Sequence, residues 1–284
     1  MQSPSHVAFE FVQSLASELS GGRLDLPSFP EIAIRIRKVL ADSKSSIEQV
    51  VRIVGSEPAL AARLLRIANS ASLNRSGRPV TELRTAISRI GYNMVRSASL
   101  SFSMDQMRHD KKLATFRRYL NDLWERSTSV AAYSYVLARN CGGVNPDEAL
   151  LTGMMHGIGK LYILTRASDH PALFGGEAQL NEIINDWHAS IGKAILENWE
   201  FPEAMAQAVG NQEASRDDEG AADLADVVAV SILIASYGTD IGGLEIALQG
   251  HPGAKRLGLD ESKTLAVMQD SAAEVTALSQ ALGA

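Results

Sequence analysis

Leu151-Thr152-Gly153-Met154-Met155-His156-Gly157-Ile158-Gly159-Lys160 is the stretch that decides how this chain is read. Upstream of it, Asn145 supplies a helix N-cap, Pro146 suits the first helical position and Glu148 is placed as a capping-box acid. The segment therefore predicts a helix that delivers His156. Gly157-Ile158-Gly159-Lys160 has the outline of a phosphate loop, but such a loop needs glycine at 154 and Ser or Thr at 161. Met154 and Leu161 stand there instead. What remains is one imidazole at the end of an apolar helix, followed by a glycine that offers no ligand atom.

Working outward, nearly every segment carries helical periodicity. Phe9, Val12, Leu15, Ala16 and Leu19 predict a first helix that stops at Gly21-Gly22. Ile32, Ile36, Val39 and Leu40 predict a second, entered through Pro30. Ser45 and Glu48 form a capping-box pattern for a third through Ile47, Val50, Val51 and Val54. Pro58 opens a fourth, with Leu60, Leu64, Leu65 and Ala68 inward, Arg63 and Arg66 outward, and an end at Asn69-Ser70. Two helices broken near Gly91 span Thr81 to Met107, and a long one runs from Leu113 to Asn140. Later helices are expected at about 177–199, 202–214, 221–237 and 261–282. No alternating strand or fixed-period repeat is present, so the fold class is all-α. The weakest seam, at 108–114, suggests an N-terminal helical half at 1–112 packed on a second half at 113–284.

The 284-residue chain, 45% hydrophobic and 21% charged, is long enough for a substantial core. A single cysteine, Cys141, excludes an intramolecular disulfide and fits a reducing compartment. The longest nearly uncharged stretch, Val227 to Tyr237, is too short to span a bilayer, and the start lacks a signal-peptide pattern, so a cytoplasmic location is expected. Residues 1–120 hold 18 Lys/Arg against 10 Asp/Glu and residues 121–284 hold 9 against 23, or +8 and −14. The basic half suits an acidic partner, while the acidic half disfavours nucleic acid. The pair of helices from Ile47 to Ala68 has a helix-turn-helix outline, but its second helix is too apolar to read bases. Trp124, Trp187 and Trp199 read as core anchors.

Several segments together resemble the HDOD family, the HD-related output domains of bacterial signalling proteins. They are Leu26-Pro27 with Phe29-Pro30, the run from Glu57-Pro58 to Asn69-Ser70-Ala71, Ala86-Ile87 with Ile90-Gly91, Leu123-Trp124, and Leu151 to Lys160. Trp187-His188-Ala189-Ser190-Ile191-Gly192 and Asn198-Trp199-Glu200-Phe201-Pro202 complete the set. The resemblance runs from Leu26 to about Tyr237. It implies an HD-like helical fold with an N-terminal helical bundle packed on it, commonly without hydrolase activity and serving as a regulatory module.

The resemblance also implies which positions held metal in the HD hydrolases, where adjacent His and Asp help bind ions that polarise a phosphate ester. Here Gly157 stands in place of that Asp, and Arg126 falls where a ligand histidine is expected, a fixed cation that repels a metal. His188 matches a superfamily histidine, and a further His-His pair reads Asn211-Gln212. The helix after Asp226 offers Ser231 or Ser236 in place of a last Asp. Asp186 or Glu213 could approach the two histidines, but two histidines are too few for a catalytic zinc site. Arg126, His156, Gly157, His188, Asn211 and Gln212 are therefore expected to form a vestigial pocket, with no metal, no cofactor and no catalytic residue.

The function expected is that of a non-catalytic signalling module that binds a partner protein, with no membrane and no nucleic acid as partner and a small-molecule ligand possible. Arg63, Arg66, Arg75, Arg78 and Arg84, in an interval whose only acid is Glu82, are the candidate partner-binding residues. Two alternatives stay open. One is a phosphohydrolase with unorthodox metal ligands. The other is a nucleotide or cyclic-dinucleotide sensor using Arg126, His156, Lys160 and His188.

Overall fold

The computed structural model describes residues 13, 14, 17, 30–42, 44–70, 73, 74, 77–169, 176–214, 220–238, 240–259 and 261–283. The apolar residues of the expected first helix, the pattern from Leu26 to Phe29, and Arg75 lie outside the described residues. Among the described residues every regular element is helical.

The N-terminal part begins with α1 (Glu31–Ala41), α2 (Ile47–Gly55) and α3 (Pro58–Asn69). Helix α1 buries Ala33, Ile36 and Leu40, and α2 buries Val50 and Val54. The capping box of α2 lies one residue later than the sequence suggests. Ser46 Oγ accepts from the Gln49 amide while the Gln49 side chain accepts from the Ser46 amide, because a box needs its acceptor on the residue just outside the first helical turn. Asn69 closes α3 by donating to the Leu65 and Val80 carbonyls and accepting from the Val80 amide, so the chain turns back onto the helix.

Arg63 corrects the outward placement read from periodicity. It is 3% exposed and its guanidinium donates to Ser101 Oγ (3.4 Å), the Leu282 carbonyl (3.1 Å) and Asp105 Oδ2 (3.3 Å). A buried cation is tolerable only when paired and hydrogen-bonded, and here its partners come from helices far apart in sequence. Arg66, Arg78 and Arg84 are exposed, and Arg84 is ion-paired with Glu48.

Helix α4 (Leu83–Arg108) is kinked where Gly91 takes φ 75°, ψ 167°, a conformation open to glycine. A 3₁₀ turn (Lys111–Phe116), capped by Asp110, precedes α5 (Arg117–Cys141). The long helix expected from Leu113 thus begins four residues later, because Asp110 accepts from the Lys112 amide and sets a tighter first turn. Leu113 is buried, so this seam is part of the packing.

Helix α5 is the central strut. Against it lie α4, α6 (Pro146–Met155), α10 (Leu224–Tyr237) and α13 (Glu261–Gly283). Asn145 caps α6 by accepting from the Asp147 and Glu148 amides. Glycine 153 lets α6 approach α5 to backbone contact, since a Cβ there would stand 2.9 Å from Ala131 Cα. Helix α7 (Ile158–Asp169) packs on α8 (Glu177–Asn198), which carries α9 (Glu203–Gly210). Two further helices, α11 (Ile241–Gln249) and α12 (Pro252–Arg256), pack on α10 in a region the sequence reading left without structure.

Helix α4 packs on α6 and α13 packs on α3 and α4, so apolar surface is shared across the 112/113 boundary. Expressed separately, 1–112 and 113–284 should not both melt cooperatively near the full-length temperature, as each would expose a buried face. Two such cooperative transitions in calorimetry would instead establish independent halves.

Candidate functional site

The site forms where α5, α7 and α8 meet, at the sharp turn that joins α6 to α7. His156 ends α6 and is 2% exposed. Its Nδ1 lies 2.7 Å from the Gly153 carbonyl. A carbonyl only accepts, so Nδ1 carries the proton and Nε2 presents a lone pair. That Nε2 is buried with no hydrogen-bond partner among the described residues. Burial lowers the His156 pKa to about 3, and the charges of Lys160, Arg126 and His188 act in the same direction.

His188, also 2% exposed, comes from α8. Its Nδ1 lies 2.8 Å from the Ile184 carbonyl and its Nε2 lies 3.2 Å from Glu213 Oε1. Burial and the Lys160 charge push its pKa down and Glu213 pulls it up. Of the two carboxylates considered for the pocket, Glu213 reaches a histidine, while Asp186 is exposed.

Helix α7 meets α8 so closely that a Cβ on Gly159 would fall 1.9 Å from the His188 carbonyl oxygen and 2.8 Å from the Gly192 amide nitrogen. Gly157, by contrast, faces a side chain. A Cβ there would come within 2.4 Å of Leu123 Cδ1, so the leucine occupies the space an acidic side chain would need.

The remaining predicted residues divide. Gln212 is buried and donates to the His156 carbonyl at 3.1 Å. Asn211 is exposed, caps α9, and lines a different cavity with Asp226, His251 and Arg256. It does not join the pocket, because the turn after α9 directs adjacent residues to opposite sides. Arg126, half-buried on α5, donates to Ser236 Oγ, whereas Ser231 bonds back to the Val227 carbonyl. Asp226 is committed elsewhere, in a bidentate pair with Arg256 at 2.6 and 2.9 Å, both side chains under 10% exposed.

Beside the histidines opens a cleft of about 460 Å³, lined by Tyr119, Leu123, Arg126, Lys160, Asn181 and Ile184 among others. The Tyr119 hydroxyl bridges Glu177 and Asn181 at 3.1 and 3.0 Å. Tyr119 and Asn181 were missed by sequence reasoning. The only signal for Tyr119 is that it shares a helical face with Leu123 and Arg126.

As a metal centre the arrangement does not fit. Among the described residues no group of three or more His, Cys, Asp or Glu side chains is placed to hold an ion. Burial and then the Arg126 charge push the Lys160 pKa down while Glu213 pulls it up, and a divalent ion would meet repulsion from both cations.

The HDOD domain family matches residues 26–215. The chain belongs to the HDOD family. No match was found among curated proteins. Among solved structures, a provisionally named metal-dependent phosphohydrolase from Shewanella amazonensis SB2B is similar at 24% identity over 98% of this chain and 99% of its own, with a TM-score of 0.76. An HDOD domain protein of unknown function from Geobacter sulfurreducens shares 21% identity over 96% of this chain and 99% of its own (TM-score 0.59). A provisionally named signal transduction protein from Marinobacter aquaeolei VT8 shares 18% over 99% of this chain and 67% of its own (TM-score 0.57). At these identities the likeness to the solved structures establishes the fold. The HDOD match crosses the boundary at 112 and includes both histidines of the pocket.

Two predictions follow from this geometry. Gly159→Ala should destabilise at the upper end of about 1–3 kcal/mol or beyond, since main chain must move, whereas Gly157→Ala should cost less because Leu123 can turn; urea melts of the two variants check the order. His156 has an ordinary pKa of 6.5 and a folded pKa of about 3, so its neutral form stabilises the fold fully above pH 6.5. That stability is lost as pH falls from 6.5 toward 3, about 2 kcal/mol of it by pH 5. His156→Gln should flatten the stability profile between pH 7.5 and 5, and an unchanged slope would show that His156 does not cause it.

Proposed function

We propose that this HDOD chain is a non-catalytic signal-transduction module of the bacterial cytoplasm that acts by binding a partner protein. The observation that carries the reading is that Gly157, packed against Leu123, offers no carboxylate where the HD hydrolases place theirs. The cations at 126 and 160 and the absence of a three-ligand cluster among the described residues support it. The signal-transduction name of the similar Marinobacter protein points the same way. None of the described helices is long and apolar enough to cross a membrane.

Purified protein should hold substoichiometric transition metal and show no metal-dependent hydrolysis of phosphomonoesters, phosphodiesters or cyclic dinucleotides. Gly157→Asp alone should not create turnover, as several ligands are missing together. Stoichiometric metal with chelator-sensitive turnover abolished by His156→Ala would overturn this reading.

For the partner surface, Arg66, Arg78 and Arg84 are the exposed described members of the basic interval, Arg84 being paired with Glu48, and Arg75 lies between Arg66 and Arg78 in sequence. Arg63 leaves the set because it is buried. Arginine's planar fork suits an acidic protein surface. Once a partner has been captured from the native host and identified, Arg75→Glu with Arg78→Glu should weaken its binding and reduce its salt dependence without a large change in melting temperature. Unchanged affinity would move the interface away from this segment.

A further inference from the structure

Helix α13 is held at its end by a buried cation. The main-chain carbonyl of Leu282 accepts from the Arg63 guanidinium at 3.1 Å and from Ser101 Oγ. The last four carbonyls of a helix lack intrahelical partners and carry partial negative charge, so Arg63 and Ser101 read a helix terminus. About two turns earlier, Glu274 is paired through both oxygens with the Arg139 guanidinium of α5. Between these anchors Val275, Leu278, Ala281 and Leu282 are buried along one side, while Ala273, Thr276 and Gln280 are exposed.

The seat of α13 is viable without its occupant. It is built from α3, α4 and α5, which lie inside the HDOD match at 26–215, whereas α13 lies beyond that match. Arg63 pairs at 3.3 Å with Asp105, a carboxylate of α4, and that pair does not involve α13. Arg139, with 34% of its side chain exposed, has access to water. Neither anchor would be stranded as an unpaired buried charge, the outcome that makes breaking a buried ion pair so costly. An undocked α13 would uncover an apolar face with a cation at each end.

We propose that this face is a helix-docking site, filled within the chain by α13 and open to a partner protein's amphipathic helix of the same pattern. That pattern is an acid for Arg139, apolar residues one, four, seven and eight positions later, and a helix end on Arg63. Helix-in-groove recognition has this form. Such a partner binds by displacing α13, which makes α13 an internal competitor. The inference rests on the partner-binding reading only for its use in signalling, and docking is measured without a captured partner, so either can fail alone.

A fluorescent peptide of the α13 sequence, residues 261–283, is titrated into the full chain and followed by anisotropy. In the parent chain the resident helix competes at an effective concentration on the order of millimolar, so binding should be weak. Leu278→Asp in the full chain loosens the resident helix and leaves the seat unaltered. That chain should bind one peptide saturably, at least about tenfold more tightly than the parent does, and a peptide carrying Leu278→Asp should not bind. Arg139→Glu added to the loosened chain should weaken the peptide about fivefold or more, and Glu274→Arg in the peptide should restore binding. Where Leu278→Asp abolishes cooperative melting, Glu274→Arg in the full chain replaces it in the same titration. The proposal is overturned by no saturable binding to a loosened chain that melts cooperatively, by equal affinity for parent and loosened chains, or by indifference to the Arg139 and Glu274 exchange. Loss of cooperative melting in both variants also overturns it, because α13 is then part of the core.

Discussion

Helix α7 meets α8 main chain to main chain at Gly159 and Gly192, and the pocket is built around that contact. With 1.9 Å between a hypothetical Gly159 Cβ and the His188 carbonyl oxygen, no other residue fits without moving a helix. A helical glycine costs roughly 1 kcal/mol relative to alanine, so its presence here marks a place where proximity matters more than propensity. The approach places Lys160, one residue on, beside the two histidines, and leaves the cleft open between α5 and α8. Leu123 then closes the space next to Gly157 from the α5 side.

The resulting environment differs in kind from that of a metal centre. Both histidines donate Nδ1–H to a main-chain carbonyl, the arrangement that in a metalloprotein fixes the ring and frees Nε2 for an ion. Here the positive charge near those rings comes from the chain itself, through Arg126 and Lys160. Burial holds His156 neutral, and Glu213 faces the other ring. The two imidazoles are set as they would be in a metal centre, but the charges nearest His156 are cationic.

Much of this was legible in the sequence. The all-α class, the Asn145-Pro146 start of α6 and the break at Gly91 could be read from local residue patterns, whereas the grouping of Arg126, His156, Gly157, His188 and Gln212 was implied only by the family resemblance. The misses share a cause. Arg63 sits on a face whose neighbours arrive from positions 101, 105 and 282, and periodicity cannot announce partners so distant. Asn211 and Gln212 are adjacent, yet only the turn geometry after α9 decides which one enters. The Asp226–Arg256 pair and helices α11 and α12 lie where the periodic signal is short and interrupted by Gly250, His251 and Pro252. The cleft had no linear signature, since its lining is shared among three helices.

The Arg63 cluster also bears on how the chain reaches its fold during synthesis. Arg63 and the Leu282 carbonyl that it binds are separated by 219 residues, which at about 5–20 residues per second is roughly 10–40 s of translation. Through that interval α3 exists without one of the acceptors that neutralise its inward-facing guanidinium. The N-terminal helices can collapse on their apolar stripes, but final docking of α3, α4 and α13 must await emergence of the segment that carries Leu282. The order of emergence and the order of consolidation are therefore opposed at this end of the molecule.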